Sequence, residues 1–121
     1  RAKPNRFAAQ MSGDAVAVTT DDGSLGARGL VTGPLAAMLR LPGRERLHLY
    51  ACGPTPMLKA VATMALEAGI VCDLALEAPM ACGFGVCLGC VVPTHASPGG
   101  PVAYERVCVE GPVMRAERVA W

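Results

Sequence analysis

Aromatic side chains are scarce in this 121-residue chain: two Phe, two Tyr and one Trp, or 4% of the residues. Charge is scarce as well, at 17%, whereas 52% of the residues are apolar. A chain with so little charge is expected to hide part of its surface against partners or further domains. Lysine and arginine are scattered and the net charge is only +1, which removes the electrostatic case for nucleic acid. No targeting sequence stands near the start, so a disulfide framework, which needs an oxidising compartment, has no support and a cytoplasmic chain is expected. The chain opens on Arg1 rather than methionine and reads as a fragment of a longer protein. Long unbroken apolar runs are missing. Residues 78–104 contain no Asp, Glu, Lys or Arg, but Pro79, Pro93, Pro98, Pro101 and five glycines would interrupt any helix there, so no membrane span is expected. The two histidines, His48 and His95, stand far apart and outside any Cys-x-His pair, which excludes a Rieske centre. No Gly-x-Gly-x-x-Gly follows a strand, so the usual phosphate-binding opening of a dinucleotide fold is missing.

What the chain does have is a set of four spaced cysteines. Cys82, Cys87 and Cys90 lie in Met-Ala-Cys-Gly-Phe-Gly-Val-Cys-Leu-Gly-Cys (80–90), and Cys108 follows after seventeen further residues. This is the plant-type spacing for a [2Fe–2S] cluster. Two sulfide-bridged ferric ions need four terminal thiolates, and three of these must wrap one side of a compact anionic core. Gly83, Gly85 and Gly89 fall between the ligands, where the backbone has to turn N–H groups toward the sulfurs. Such hydrogen bonds, with burial, set the reduction potential. Met80, Phe84, Val86 and Leu88 are expected to form the apolar cover. A structural zinc site would be built from two close cysteine pairs, whereas only Cys87 and Cys90 make a Cys-x-x-Cys here. A thioredoxin-like Cys-x-x-Cys would leave the other two cysteines without a purpose.

The rest of the chain reads as α/β. Residues 1–77 alternate: a strand over 15–20 ending at the turn Asp21-Asp22-Gly23-Ser24, a short helix over 34–41, a strand over 46–51, a helix with an apolar stripe (Met57, Leu58, Val61, Ala62, Ala65, Leu66) closed by Gly69, and a strand over 70–77. This order implies a parallel sheet with helices on its faces. Ligands of such sheets sit at the carboxyl ends of strands, which makes Asp21–Gly26, Cys52–Met57 and Glu77 candidates. Two bland readings stand beside these. Gly53, Pro54 and Pro56 would also serve merely to turn a strand into a helix, and Asp21 and Asp22 are turn formers. Residues 78–121 hold the cysteine loop, Val91-Val92, a Pro/Gly-rich excursion over 93–101 and a strand over 102–109 carrying Cys108. So small a domain needs a cluster to hold it, and loss of metal is expected to unfold the C-terminal third. Cys72, in mid-strand, is expected in the core.

Tyr-Ala-Cys-Gly-Pro-Thr-Pro-Met-Leu-Lys-Ala-Val (50–61), Leu-Glu (76–77), residues 80–90 and Val-Cys-Val-Glu-Gly-Pro-Val (107–113) together resemble the electron-transfer subunit of bacterial class 1B dihydroorotate dehydrogenase, as does the segment 21–32. That family belongs to the ferredoxin–NADP reductase-like flavoproteins, whose members carry an FAD-binding barrel, an NAD-binding α/β domain and a small [2Fe–2S] domain. The resemblance implies a partial parallel-sheet NAD-binding domain of ferredoxin reductase type over 1–77 and a small, irregular β [2Fe–2S] domain over 78–121, with the FAD barrel lacking. It implies Cys82, Cys87, Cys90 and Cys108 as ligands, and Cys52, Gly53 and Pro54 beside the nicotinamide. Asp22 and Ser24 would take the adenosine side, and Glu77 would lie near the flavin. The implied activity is electron relay between FAD and NAD(H) and the FMN of a dihydroorotate dehydrogenase catalytic subunit, in a hetero-oligomer that serves pyrimidine biosynthesis. The chain alone would be an incomplete oxidoreductase subunit. Another flavin and iron–sulfur reductase of the same superfamily, or a zinc-stabilised interaction module, is the alternative.

Overall fold

A computed structural model describes residues 16–121, which fall into two compact units divided between Arg40 and Leu41. In the first unit, β1 (Thr19–Thr20) lies parallel to β2 (Ala27–Arg28). The turn between them is tied by side chains: Ser24 N–H donates to Asp22 Oδ1 at 2.9 Å, and the Thr20 hydroxyl donates to the Leu25 carbonyl at 3.0 Å. The strand expected over 15–20 is thus reduced to its last two residues, Ala15 lying outside the described residues. It pairs with β2, because the tied turn returns Ala27 alongside Thr19. Helix α1 (Thr32–Met38) starts two residues before Pro34 and stops short of Leu41, the residue before Pro42, where a helical conformation is disfavoured.

Gly26 makes the return possible. Its φ is +71°, and a Cβ there would lie 2.1 Å from the Val18 carbonyl oxygen, the acceptor of the Ala27 N–H at 2.9 Å. Gly26→Ala is therefore expected to break the β1–β2 pairing at a cost above ~1 kcal/mol. Loss of amide-exchange protection at Ala27 would register it, and unchanged protection would show that the turn is not held this way.

The second unit is built on β3 (His48–Cys52), α2 (Thr55–Glu67) and β4 (Val71–Ala75), a β-α-β crossover with β3 and β4 parallel from His48 opposite Val71 to Cys52 opposite Ala75. Pro54 precedes the first helical residue and Pro56 sits in the first turn, where a missing N–H costs nothing. Leu58, Val61, Ala62 and Ala65 are the buried stripe, whereas Leu66 is exposed. The helix ends in a Schellman motif, with Ile70 N–H on the Ala65 carbonyl at 2.9 Å and Gly69 N–H on that of Leu66 at 3.1 Å. Strand β4 presents Cys72 and Leu74, both essentially inaccessible, to this side, so Cys72 is a core residue as expected.

Two short antiparallel elements complete the unit. Strands β5 (Val91–His95) and β6 (Val102–Arg106) form a hairpin running from Val91 opposite Arg106 to His95 opposite Val102. Strand β7 (Val113–Arg115) returns antiparallel to β4, placing Met114 opposite Leu74. The chain then bridges Val119 to Thr94 and sets Ala120 N–H on the Pro93 carbonyl at 3.1 Å. Arg118 is ion-paired with Glu105. One core results, with Leu58, Leu74, Val107, Thr94 and Cys72 at its centre. No helix among the described residues is long and apolar enough to cross a membrane.

Candidate metal centre

The cysteine loop leaves the sheet after β4 and reaches β5 at Cys90. Within it Cys82 Sγ accepts the Cys87 N–H at 3.5 Å, and Cys87 Sγ accepts the Gly89 N–H at 3.4 Å. The Cys87 amide, followed by that of Phe84, brings the Cys82 thiol down to about 6, because N–H groups aimed at sulfur favour the thiolate. The fourth cysteine comes from the other side. Strand β6 ends at Arg106 rather than continuing to 109. Val107 N–H makes the last bond, to the Cys90 carbonyl at 3.1 Å, and then Val109 and Glu110 N–H both return to the Arg106 carbonyl, at 3.1 and 2.8 Å. This turn carries Cys108 to Cys90. The Cys108 amide and thiol hold the Cys90 thiol below its usual range, and donation to Cys90 pushes the Cys108 thiol up.

The thiols are thus grouped two and two, Cys82 with Cys87 and Cys90 with Cys108. The two stretches meet, since Arg106 Nη1 donates to the Gly85 carbonyl at 3.2 Å. Among the described residues no three His, Cys, Asp or Glu side chains gather around one point as for a single ion. Two thiol pairs with backbone N–H donors on their sulfurs fit a group of two irons, each needing two thiolates. Two backbone features shape the loop. Gly85 has φ +89°, and a Cβ on it would come within 2.7 Å of Val109 Cγ2 on the Cys108 turn. Leu88, between Cys87 and Gly89, has φ +57°, the one positive value at a residue other than glycine among the described residues. Strain of this kind is characteristic of functional loops. The expected cover faces outward: Met80, Phe84, Val86 and Leu88 are 49, 69, 73 and 58% exposed. A glycine-rich loop has no periodicity to turn these residues inward.

The other candidate residues are partly gathered. Pro54 and Glu77, with Thr55, Leu76, Ala78, Pro79 and Met80, line an open cleft of about 580 Å³ at the carboxyl ends of β3 and β4. Met80 belongs to the cysteine loop, so cleft and loop adjoin. Cys52 instead lines a smaller hollow of about 180 Å³ with Tyr50, Ala51, Asp73, Ala75 and Val113, and Gly53 is the link between the two. Asp22 and Ser24 belong to the first unit and bond to each other, the Ser24 amide lowering the Asp22 carboxyl below its usual range. Sequence reasoning missed Arg106 and Glu110, which flank Cys108 and form an ion pair. Their opposite charges at a spacing of four were the available signal.

Residues 77–120 match the family model described as the iron–sulfur cluster binding domain of dihydroorotate dehydrogenase B. Over 104 residues the chain is 44% identical to the "Dihydroorotate dehydrogenase B (NAD(+)), electron transfer subunit" of Caldanaerobacter subterraneus subsp. tengcongensis, covering 86% of this chain and 40% of that protein. With the Bacillus caldolyticus protein of the same name the identity is 45% over 102 residues, covering 84% of this chain and 36% of that one. The chain therefore spans about two fifths of the length of these relatives. A solved structure described as that of an NADH-dependent reduced ferredoxin-NADP oxidoreductase, in work on flavin-based electron bifurcation, superposes with a TM-score of 0.69 at 34% identity, over 89% of this chain and 36% of that one. Residues 77–120 are thus similar to the iron–sulfur cluster binding domain of dihydroorotate dehydrogenase B, and over most of its length the chain is similar to about two fifths of that enzyme's electron transfer subunits.

Proposed function

We propose that this chain is part of an electron-transfer subunit in which residues 78–121 hold a [2Fe–2S] cluster and residues 1–77 are part of an NAD-binding domain. Cys82 and Cys87 hold one iron, Cys90 and Cys108 the other. The observation that carries this reading is the two-and-two grouping of four thiols with amide N–H groups already on the sulfurs of Cys82 and Cys87. When bound, such a cluster passes electrons singly between flavins that exchange two with their substrates. The chain's own work is positional. The loop keeps the four sulfurs together, and the amides of Cys87 and Gly89 stabilise their negative charge. The cleft bearing Pro54 and Glu77 offers the adjoining place for the flavin and nicotinamide of a complete subunit, supported by its position at the strand carboxyl ends. Cys52 and Gly53 stand at its edge, and Asp22 with Ser24 is assigned to the adenosine side. The partner in this reading is the FMN-bearing catalytic subunit of dihydroorotate dehydrogenase. The setting is the cytoplasm, where six free cysteines stay reduced.

Anaerobic reconstitution followed by iron and acid-labile sulfide assay, with EPR of the dithionite-reduced protein, tests the proposal. Equal iron and sulfide with one rhombic signal is the expected result. Stoichiometric zinc without sulfide would overturn it in favour of a structural metal module.

A further inference from the structure

Arg106 is held unusually firmly for a residue at a strand end. Its backbone N–H donates to Glu110 Oε2 at 2.7 Å, and its guanidinium reaches the same carboxylate through Nε at 3.2 Å and Nη2 at 2.5 Å. Glu110 follows Cys108 by two residues, so the pair brackets the fourth thiol. The remaining guanidinium nitrogen is not spent on solvent. Nη1 donates to the Gly85 carbonyl at 3.2 Å, across 21 residues of chain. Gly85 is the middle of the segment between Cys82 and Cys87, and a Cβ there would lie 3.2 Å from Nη1 and crowd this approach. One planar fork therefore clasps the loop of the first thiol pair to the turn of the second, with a carboxylate fixing its orientation. A lysine, with a single rotating ammonium, cannot make this set of bonds. The charge is close to the cluster loop and the fourth thiol, since the ion pair of Arg106 and Glu110 stands two residues on either side of Cys108 and the guanidinium reaches the Gly85 carbonyl.

Resting on the reading above, we propose that Arg106 is a positioning residue of the cluster site, closing the cysteine loop onto the Cys108 turn, and that its fixed positive charge favours the reduced cluster while Glu110 opposes it. Reduction adds one electron, from dithionite in the assay, and hence one negative charge inside the ring of four sulfurs. A nearby cation stabilises that added charge and a nearby anion destabilises it. Both side chains are partly exposed, at 36% and 32%, so water screens much of the interaction and the effect is moderate.

The test is the midpoint of the reconstituted full chain, read by EPR during a dithionite titration, for Arg106→Gln, Arg106→Lys and Glu110→Gln. Arg106→Gln is expected to lower the equilibrium constant for reduction about threefold to tenfold, tenfold being about 59 mV for a one-electron couple. Glu110→Gln is expected to raise it by a similar factor. Arg106→Lys should keep the equilibrium constant for reduction within about twofold of the unsubstituted chain and above that of Arg106→Gln, yet lose sulfide faster to a chelator because the clasp is gone. A purely structural ion pair would move both neutral variants in the same direction or neither, and either result overturns the proposal, as does a lysine midpoint equal to that of glutamine. If Arg106→Gln retains no cluster, Glu110→Gln decides alone: a midpoint at or below that of the unsubstituted chain overturns the inference. Absence of labile sulfide from the unsubstituted chain removes the functional reading and this inference together. Sulfide present without opposed shifts removes only the inference.

Discussion

Cys108→Ser is expected to cut the labile sulfide retained after reconstitution by more than about tenfold, since even residues that merely support ligands cost 10–100-fold in metal affinity. Cys72→Ser is expected to retain all of it. The two residues make a controlled pair, because both are free thiols in the second unit and they differ in surroundings. Cys72 is 1% exposed on the inner face of β4, where burial pushes its thiol up and a hydroxyl would have to be desolvated at about 1–3 kcal/mol. Its substitution therefore lowers thermal stability without touching the cluster. Cys108 lies in the turn after β6 beside Cys90 and is only partly buried, so it contributes no comparable apolar burial. Its substitution removes the cluster with a small change in the stability of the sheet. Sulfide content and melting temperature thus move separately in the two variants. Equal sulfide loss in both would show that the ligand set is wrong.

The spacing of the cysteines carried most of the site. Four residues between Cys82 and Cys87 allow one amide to fold back onto the first sulfur, and two residues between Cys87 and Cys90 send the chain into β5. The β-α-β crossover was equally legible, because the stripe of Leu58, Val61, Ala62 and Ala65 repeats at helical spacing and Gly69 ends it. Strand β7 was not. It is three residues long and its partner is decided by Met114 meeting Leu74, about forty positions away, which no local pattern encodes. Nor was the end of β6 legible, since no Gly or Pro interrupts Val102 to Val109. What stops the strand is the pair of amides, from Val109 and Glu110, that returns to Arg106. The clasp shows the same limit. The charges of Arg106 and Glu110 are visible in sequence, but their purpose depends on Gly85, which only the folded loop brings to them. Likewise Met80, Phe84, Val86 and Leu88 read as cover for the sulfurs, but apolar character alone does not settle which way a loop residue faces.

Metal removal by a chelator under anaerobic conditions is expected to melt the cysteine loop and leave the hairpin and β7 folded, a narrower loss than the small size of residues 78–121 led one to expect for the C-terminal third. Hydrogen bonding and burial decide it. The amides of Cys87 and Gly89 donate to sulfur and have no backbone acceptor that would outlast the loop's opening, and the apolar side chains around them are exposed. Their opening free energy should fall toward the ~0 kcal/mol of mobile loops. From Cys90 onward the chain has other anchors. Cys90 is 3% exposed and its carbonyl accepts the Val107 N–H. Val107 and Thr94 are fully buried, and Met114 and Val119 nearly so. The three apolar ones, Val107, Met114 and Val119, each contribute roughly 1.5–3 kcal/mol of burial that does not depend on metal. The boundary of melting should therefore fall between Gly89 and Cys90 on one side and between Val107 and Cys108 on the other. Hydrogen exchange before and after chelation reads this directly: protection should vanish at Cys87 and Gly89 and persist across β5, β6 and β7. Loss of protection in both strands of the hairpin would instead make the metal the support of the whole C-terminal third, and burial of Val107 and Thr94 a consequence of the cluster rather than an independent anchor.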